Sequence, residues 1–353
     1  MLDLINKLKE FENEYHKLSE LGSNGKVLLV DGFNTYLRAF AAVPTMNDDG
    51  EHMGGLTGFL KSVGMISRNL RPTRIVCIFD GAGGSQRRRA LYEDYKSNRR
   101  TMQRLNRTYD FKSLEEEKES IRWQMHLLVE ILGYLPVTVL AIENIEADDT
   151  IAYLSHIIAN RGGKSIILST DKDFLQIVGN ECSVYNPIKK KMYDVETVTS
   201  EYGIHPNNFL LYRVVEGDKS DNISGVKGVG SVTLKKLFPA LSQERQLTFS
   251  DLLSPCKENK KLSKSSACRK LLEAQEKGQL ELNYQLMTLA DDNIAGATKI
   301  KILDIFDHHV PTINKLSLTK RLSEHKLLSS FGNYDEWLLS SWSPLSRFHT
   351  ESA

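Results

Sequence analysis

Residues 26–31 read KVLLVD, an apolar run that ends in an aspartate, and this pattern decides the fold. It recurs in IVCIF at residues 75–79, which precedes Asp80, and further short apolar runs are VTVL (137–140) and SIILS (165–169). Short apolar runs of this kind are typical of parallel strands that are buried on both faces. We therefore predict four such strands.

Segments with helical periodicity separate these runs, namely residues 56–70, 113–132 and 147–158. Strands that alternate with helices predict an α/β fold, in which a mostly parallel central sheet carries helices on both faces. In open sheets of this class the ligand site lies beyond the carboxyl ends of the strands. Residues that directly follow the strands are therefore the first candidates for chemistry.

Acidic residues follow nearly every predicted strand. They are Asp31, Asp80, Glu146, Asp148, Asp149, Asp171 and Asp173. Any one of them could simply cap the next helix, and this alternative stays open for each residue taken singly. Capping needs one acid per helix, however, whereas residues 146–149 and 171–173 supply several. Because crowded carboxylates repel each other unless they bind protons or cations, the sequence predicts a site for hard divalent cations.

A basic segment lies between the second and third predicted strands. Residues 81–107 contain eight basic and two acidic side chains, with Tyr92 and Tyr95 among them. Such a segment suits a phosphate backbone, and its tyrosines could stack on unpaired bases. The alternative is a solvated, charged helix without a ligand.

A glycine-rich stretch, GDKSDNISGVKGVG at residues 217–230, has the most specific pattern in the chain. Asp218 and Asp221 are three residues apart, so one helical turn would place both on the same face and let them reach one metal site. The glycines then precede a helical run at residues 231–237. A glycine turn with exposed amides at a helix start can bind phosphates regardless of sequence, as in helix–hairpin–helix elements.

The composition leaves the type of partner open but excludes several classes of protein. The 353 residues carry a formal net charge of only +1, so the overall charge argues neither for nor against nucleic acid. Four cysteines lack zinc-ligand spacing, which fits a reducing compartment. Because no apolar run is long enough to span a membrane and the N-terminus is not a signal peptide, we expect a cytoplasmic protein.

The motifs, in their order along the chain, resemble the 5′ nuclease family. This family comprises flap endonucleases, the 5′ nuclease domain of bacterial DNA polymerase I, and bacteriophage 5′ exonucleases and RNase H enzymes. The resemblance covers residues 26–240. The motifs are LVDGFNTYLRAF (29–40), IFDG (78–81), YEDYKSNR (92–99), EADDTIA (146–152), STDKDFLQ (169–176) and GDKSDNISGVKGVGSVTLKKLF (217–238).

The resemblance implies a site for two Mg²⁺ ions, for which Mn²⁺ could substitute. The first ion would be held or surrounded by Asp31, Asp80, Glu146 and Asp148. The second would be held by Asp171, Asp173 and Asp218. Asp149 and Asp221 would complete the shell. Two such ions can activate a water molecule and stabilise the leaving 3′ oxygen during phosphodiester hydrolysis.

The resemblance also implies contacts with the substrate. Lys96 and Arg99 match a basic pair that contacts the scissile phosphate, and Tyr95 matches an aromatic residue that stacks on a base. The turn at residues 225–230 would grip the duplex, and in this family it commonly holds a cation such as K⁺. The expected DNA contacts are Arg38, Arg87, Arg88, Arg89, Arg100, Gly225, Lys227, Gly228, Gly230, Lys235 and Lys236.

The implied function is structure-specific 5′ cleavage in DNA replication or repair, as a 5′→3′ exonuclease or flap endonuclease with RNase H activity on primers. We expect a monomer that binds branched or 5′-ended DNA and RNA–DNA duplexes, and that meets replication proteins such as single-strand-binding protein. No polymerase domain follows, and the segment after Arg99 lacks the proline-rich stretch of polymerase-linked members. Both features favour a stand-alone phage enzyme in the host cytoplasm.

The predicted domain organisation has three parts. Residues 1–25 would form a helical extension, because apolar residues recur at helical spacing from Leu4 to Leu18. Residues 26–200 would form the nuclease domain, with a basic arch at about 82–122. Residues 201–353 would form a helical domain that carries the helix–hairpin–helix element at 217–238.

Two alternative functions remain. A PIN-like RNase has a related sheet with fewer acids, but it would carry neither the glycine-rich stretch nor the arginine-rich segment. A non-catalytic protein that binds branched DNA is the second alternative. The full set of carboxylates argues against it, because unused acids would repel DNA.

Overall fold

The computed structural model describes residues 22–100, 104–346 and 348, without the side chains of Ser23, Arg99 and Arg100. The helix predicted over residues 4–18 therefore lies outside the described part of the chain. The central sheet consists of the strands β1 (Lys26–Asp31), β2 (Arg74–Asp80), β3 (Thr138–Ile142), β4 (Lys164–Leu168), β5 (Cys182–Asn186) and β6 (Lys191–Tyr193). Their order in the sheet is β3-β2-β1-β4-β5-β6, and all neighbouring pairs are parallel except β5 with β6. The α/β prediction is confirmed, whereas β5 and β6 were not predicted.

The first six helices are interspersed with these strands. They are α1 (Gly32–Ala42), α2 (Gly54–Leu70), α3 (Gln86–Leu91), α4 (Leu114–Leu132), α5 (Ala147–Asn160) and α6 (Val195–Tyr202). The three predicted helical segments correspond to α2, α4 and α5. The helix α4 begins where the Ser113 hydroxyl accepts the Glu116 N–H at 3.1 Å, and its first turn is acidic, which complements the helix dipole.

The rest of the described chain is helical apart from one short hairpin, β7 (Gly217–Asp218) with β8 (Ile223–Ser224). This hairpin lies between α7 and α8, so the range 217–238 predicted for the helix–hairpin–helix element begins with the hairpin, and Asp218 lies in a strand rather than on the expected helical turn. The helices are α7 (Phe209–Glu216), α8 (Ser231–Leu237), α9 (Phe249–Glu258), α10 (Ser266–Glu276), α11 (Gln279–Met287), α12 (Gly296–His308), α13 (Lys315–Glu324), α14 (Tyr334–Ser341) and α15 (Ser343–Ser346).

The C-terminal helices cover both faces of the sheet. Successive strand residues point to opposite faces, so Val27 and Leu29 belong to one core while Leu28 and Val30 belong to the other. Helices α5 to α12 complete the first core, whereas α13 to α15 pack with α1, α2 and α4 in the second. The predicted boundary at residue 200 therefore does not coincide with a break in the hydrophobic core.

The basic segment is attached to the body at both ends. Its C-terminal end is held by Glu117 of α4, a buried carboxylate that accepts the N–H groups of Leu105 at 2.9 Å and Asn106 at 2.7 Å. Since α4 itself packs into the second core, residues 114–122 belong to the body rather than to the predicted arch. No helix in the described residues is long and apolar enough to cross a membrane.

Trp342 provides a test of the C-terminal packing. Its side chain is fully buried in the second core, so Trp342→Ala should lower the free energy of unfolding by ~3–5 kcal/mol. The measurement is urea denaturation followed by circular dichroism. Leu339→Ala is the matched control, because Leu339 is 64% exposed. Equal stability of the Trp342 variant and the wild type would contradict the packing described for α13 to α15.

Candidate active site

Carboxylates gather at the carboxyl edge of the sheet. Asp31 and Asp80 are the last residues of β1 and β2, Asp148 lies in the first turn of α5, and Asp171 lies three residues beyond β4. The negative charges of Asp31 and Asp171 both act on Asp148, so these three carboxylates are near neighbours. The edge predicted from the sequence is therefore present.

Burial makes this edge electrostatically costly. Loss of solvent raises the pKa of Asp31 to about 7, even though Asp31 accepts hydrogen bonds from the Ser169 hydroxyl and the Asn34 N–H. Burial, with the charges of Asp31 and Asp171, also raises the pKa of Asp148 well above its ordinary value. Burial likewise raises the pKa of Asp171. In the absence of a cation, these carboxylates hold protons more readily than ordinary aspartates.

Helix capping accounts for part of the pattern. The side chain of Asp31 caps α1 through the Asn34 N–H at 3.1 Å, and Oδ1 of Asp80 accepts the N–H of Ala147, the first residue of α5, at 2.7 Å. Glu146 precedes α5 without making a side-chain cap. The capping alternative therefore holds for Asp31 and Asp80 but not for Glu146.

Arg88 joins three parts of the chain. Its guanidinium forms two hydrogen bonds with Asp149, at 2.6 and 2.9 Å, and a further one with Glu146, while Nε donates to the Leu286 carbonyl at 2.8 Å. The side chain of Arg88 is only 3% exposed. The expectation that Arg88 contacts DNA is therefore corrected, because its guanidinium is hydrogen-bonded to buried partners. Asp149, expected in the metal shell, is ion-paired with Arg88.

Lys96 reaches the carboxylate edge. Its Nζ lies 2.6 Å from Glu146 Oε1, and its side chain is 12% exposed. Burial would raise the pKa of Glu146, but the charges of Arg88 and Lys96 overcome this effect and hold that pKa below its ordinary value. The predicted placement of a lysine beside the acids is therefore present. The side chain of Arg99, its predicted partner, lies outside the described part of the chain, as does that of Arg100.

Tyr95 is buried rather than available for stacking. It is 2% exposed, and its hydroxyl lies 3.2 Å from both Glu146 Oε2 and Asp221 Oδ2. The expectation that Tyr95 stacks on a base is therefore corrected for this conformation. Its phenol instead bridges two of the expected metal-shell carboxylates.

Hydrogen bonds to main-chain carbonyls tie the basic segment to the loop of the β7–β8 hairpin. The N–H of Lys96 donates to the Asp221 carbonyl at 2.9 Å, and the side-chain amide of Asn98 donates to the Lys219 carbonyl at 2.7 Å. In the reverse direction, the Asn222 amide donates to the Asp94 carbonyl at 3.0 Å. Lys96 adopts a left-handed φ of 56°, which these bonds hold in place.

Arg213, which sequence reasoning missed, lies among the other carboxylates. Its Nε donates to Asp173 Oδ1 at 2.7 Å, its Nη2 to Asp218, and its Nη1 to Glu216 at 2.9 Å. The signal in the sequence was a single arginine within the apolar helix FLLYRVVE (209–216). Burial and the charge of Asp171 raise the pKa of Asp173 to about 7 in spite of this arginine.

The oxygen donors at the carboxylate edge suit a hard divalent cation by their chemistry, although their arrangement here is not that of a formed metal site. Among the described residues, no group of three or more Asp, Glu, His or Cys side chains already has the geometry of a metal site. However, Asp31, Asp148 and Asp171 are oxygen donors with raised pKa values and mutual repulsion. A cation would relieve both, so the residues fit such an ion.

The glycine-rich turn at residues 225–230 requires glycine at two positions. A Cβ at Gly225 would lie 2.0 Å from the Glu216 carbonyl oxygen, and Gly228 has a φ of +81°. Gly230 meets neither condition, because its φ is −87° and open space surrounds it. Buried Val226 and Val229 anchor the turn.

The remaining basic positions differ in exposure. Lys227 and Lys236 are exposed beside the turn, and Lys235 is half-buried. Arg89 is exposed, whereas Arg87 is 29% exposed and lies 3.8 Å from Asp149. Arg38 is half-buried. Burial lowers its pKa and the nearby charge of Asp31 opposes this effect, which places Arg38 close to the carboxylate edge.

A cavity of about 590 Å³ opens beside the carboxylates. Its walls include Asn34, Asp171, Asp218 and two lysines, Lys172 and Lys219. Both lysines are exposed, and Arg213 also lines the cavity, so its walls carry negative and positive side chains together.

Comparison with known families gives one clear match. Residues 26–203, half of the chain, match the model of the 5′-3′ exonuclease N-terminal resolvase-like domain. The chain is 31% identical over 206 residues to a 5′-3′ exonuclease of Aquifex aeolicus, covering 58% of this chain and 66% of the relative. For a 5′-3′ exonuclease of Bacillus subtilis the identity is 32% over 225 residues, covering 61% and 70%. DNA polymerase I of Mycobacterium tuberculosis is 30% identical over 238 residues, covering 65% of this chain but 24% of the polymerase.

Solved structures share the fold at low sequence identity. The flap endonuclease of bacteriophage T5, in a complex with DNA and metal ions, has a TM-score of 0.60 and 16% identity, covering 86% of this chain and 99% of that one. Human GEN1, in a complex with Holliday junction DNA, has a TM-score of 0.53 and 16% identity, covering 92% and 72%. These likenesses support the sheet and the C-terminal helices. The phage origin and the RNase H activity stay predictions.

The raised pKa of Asp31 predicts how stability depends on pH without metal. The folded chain holds a proton on Asp31 up to about pH 7, whereas an unfolded aspartate releases it near pH 4. The contribution of Asp31 to the free energy of unfolding is therefore complete below pH 4 and is lost as the pH rises to about 7. Asp31→Asn should remove this loss, so the variant should be more stable than the wild type at pH 8.

The measurement is urea denaturation in EDTA from pH 5 to pH 8. The difference between the Asp31→Asn variant and the wild type should grow with pH, by more than ~1 kcal/mol over this range. Asp110→Asn, at a carboxylate that is 97% exposed, should leave the pH dependence unchanged. A pH-independent difference for Asp31→Asn would contradict the assignment.

Arg88 and its exposed neighbour Arg89 form a matched pair. Arg88→Gln should lower the free energy of unfolding by ~3–5 kcal/mol, because it leaves Glu146 and Asp149 buried without a counter-charge. Arg89→Gln should change it by less than ~0.5 kcal/mol. Both values come from urea denaturation at neutral pH. Equal effects of the two substitutions would refute the buried role of Arg88.

Proposed function

The chain belongs to the 5′-3′ exonuclease family, and from this premise we propose that it cuts branched or 5′-ended DNA as a structure-specific, metal-dependent 5′ nuclease. The observation that carries the proposal is the buried carboxylate edge of Asp31, Asp148 and Asp171 with Lys96 beside it. A cluster of acids that must bind protons or cations, next to a lysine and a basic segment, suits hydrolysis of a phosphodiester.

The metal ligands divide into two sets. Asp31, Asp80, Glu146 and Asp148 would hold or surround one Mg²⁺ ion, and Asp171, Asp173 and Asp218 a second, with Asp221 nearby. Mn²⁺ would substitute for Mg²⁺. When bound, the ions supply activation of a water molecule and stabilisation of the leaving 3′ oxygen. The protein residues hold these positions, and Ser169 and Asn34 orient Asp31 by hydrogen bonds.

Lys96 binds the scissile phosphate. Its ammonium group is held by Glu146 at the edge, and the charges of Glu146 and Asp148 overcome the effect of burial and keep its pKa above the ordinary value. Lys96 is therefore fully charged at neutral pH. An incoming phosphate competes with Glu146 for this ammonium group, which would release Glu146 toward the metal set. Arg99 follows four residues after Tyr95, which is hydrogen-bonded to Glu146. It contacts the same phosphate as Lys96.

The duplex lies against the helix–hairpin–helix element. Backbone amides of the turn at residues 225–230 contact the phosphates, Lys227, Lys235 and Lys236 add positive charge, and K⁺ is the expected monovalent cation there. Arg38, Arg87, Arg89 and Arg100 make further backbone contacts along the strand that enters the site. Since these contacts address the phosphate backbone, they select the shape of the substrate rather than its sequence.

Two variants separate the roles of the site. Lys96→Ala should slow cleavage by at least ~10²-fold, the cost of removing one preorganised donor to the phosphate, while duplex affinity changes little. Lys320→Ala, at a side chain that is 76% exposed on α13, is the control. The measurements are single-turnover cleavage and fluorescence anisotropy in Ca²⁺. Equal losses of cleavage and of binding in Lys96→Ala would refute its role.

Cleavage assays on two substrates test the function itself. A 5′-labelled DNA flap and an RNA-primed duplex are incubated with Mg²⁺ or with EDTA, and Asp148→Ala serves as the inactive control. Cutting near the 5′ junction that requires Mg²⁺ and is lost in the control is the expected result. The ratio of the two rates separates flap processing from primer removal. Tight binding without cutting in Mg²⁺ or Mn²⁺ would favour the non-catalytic DNA-binding alternative.

A further inference from the structure

Two carboxylates of the second predicted metal set, Asp173 and Asp218, are already engaged by a cation of the chain itself. Nε of Arg213 lies 2.7 Å from Asp173 Oδ1, and its Nη2 is hydrogen-bonded to Asp218 Oδ2. The side chain of Arg213 is 5% exposed, compared with 18% for Asp173 and 16% for Asp218. The guanidinium therefore fills the space between the two acids.

Both oxygens of Asp218 already accept hydrogen bonds. While Oδ2 accepts from Arg213, Oδ1 accepts the Ser220 N–H and the Ser220 hydroxyl, each at 2.6 Å, and the Asp221 N–H at 3.3 Å. A metal ion bound to Oδ2 of Asp218 would lie in contact with the guanidinium of Arg213, so the two positive charges would repel each other. The neutral donors belong to the local turn, so the arginine is the group whose departure also removes a repelling positive charge.

Arg213 has a second set of partners on the side away from Asp173. Its Nη1 donates to Glu216 Oε2 at 2.9 Å and to the Gly217 carbonyl at 3.1 Å. Glu216 is in turn hydrogen-bonded to the Tyr212 hydroxyl. A guanidinium released by Asp173 and Asp218 would still be held by Glu216 and Gly217, so its displacement leaves no unpaired buried charge.

We propose that Arg213 acts as an internal competitor for the second metal ion, which displaces the guanidinium from Asp173 and Asp218 when it binds. This inference rests on the proposed two-metal function. It makes the second ion the weaker one in the free protein. The substrate phosphate brings additional negative charge, which favours the second ion over the free protein's arrangement. The competition by Arg213 therefore makes binding of the second ion depend on the substrate. Arg213 is thus a positioning residue for the metal ligands and not a catalytic residue.

Mn²⁺ binding without DNA tests the proposal directly. Isothermal titration calorimetry is done on metal-free wild type, Arg213→Gln, Arg213→Lys and the control Arg245→Gln, whose side chain is 71% exposed. In Arg213→Gln the weaker Mn²⁺ site should bind at least about tenfold more tightly, because a positive charge in contact with the ligands is gone. Arg213→Lys should be intermediate, since lysine cannot engage both acids with a planar fork. Arg245→Gln should match the wild type.

Thermal unfolding covers the case of a destabilised variant. In EDTA, Arg213→Gln should melt below the wild type, because Asp173 and Asp218 lose their counter-charge. Saturating Mn²⁺ should then raise its melting temperature more than that of the wild type. Equal Mn²⁺ affinities and equal thermal shifts in both proteins would overturn the role of Arg213 and leave the proposed nuclease function intact. If neither the wild type nor any variant bound Mn²⁺, the metal-dependent function would be refuted, and this proposal with it.

Discussion

Repulsion among buried carboxylates is the constraint on which the rest of this structure depends. A parallel sheet brings the ends of β1, β2 and β4 to one edge, and the sequence places acids there. The chain manages this repulsion in two ways. Burial raises the pKa values of Asp31, Asp148 and Asp171, so these groups bind protons more readily, whereas cationic side chains pair with other acids, with Arg88 and Lys96 at Glu146 and Arg213 at Asp173.

These cationic side chains also determine how distant parts of the chain meet. Arg88 connects the basic segment, the start of α5 and the Leu286 carbonyl of α11. Arg213 connects the helix–hairpin–helix element to the acid that follows β4. The fold of the C-terminal helices is therefore coupled to the electrostatics of the site. Loss of either arginine would disturb tertiary contacts as well as local charge.

The sequence predicted four of the six strands and the acidic edge, because both follow from periodicity and from residues adjacent to strands. It could not assign directions to neighbouring side chains. Arg87, Arg88 and Arg89 are equivalent by composition, yet Arg88 alone of the three is buried. Tyr95 was expected to face the substrate, because the sequence does not show in which direction its side chain points. Arg213 was missed because an arginine in an apolar helix shows its role only when its partners, 40 and five residues away, are brought together.

Bonds between residues 94–98 and 219–222 join the basic segment to the hairpin loop across more than 120 residues of sequence. The segment that carries the lysine beside the acids is thus linked directly to the element that would hold the duplex. In the proposed function, this link would set the distance between the held duplex and the cut bond, so the position of cleavage would be measured from the junction rather than from the free end.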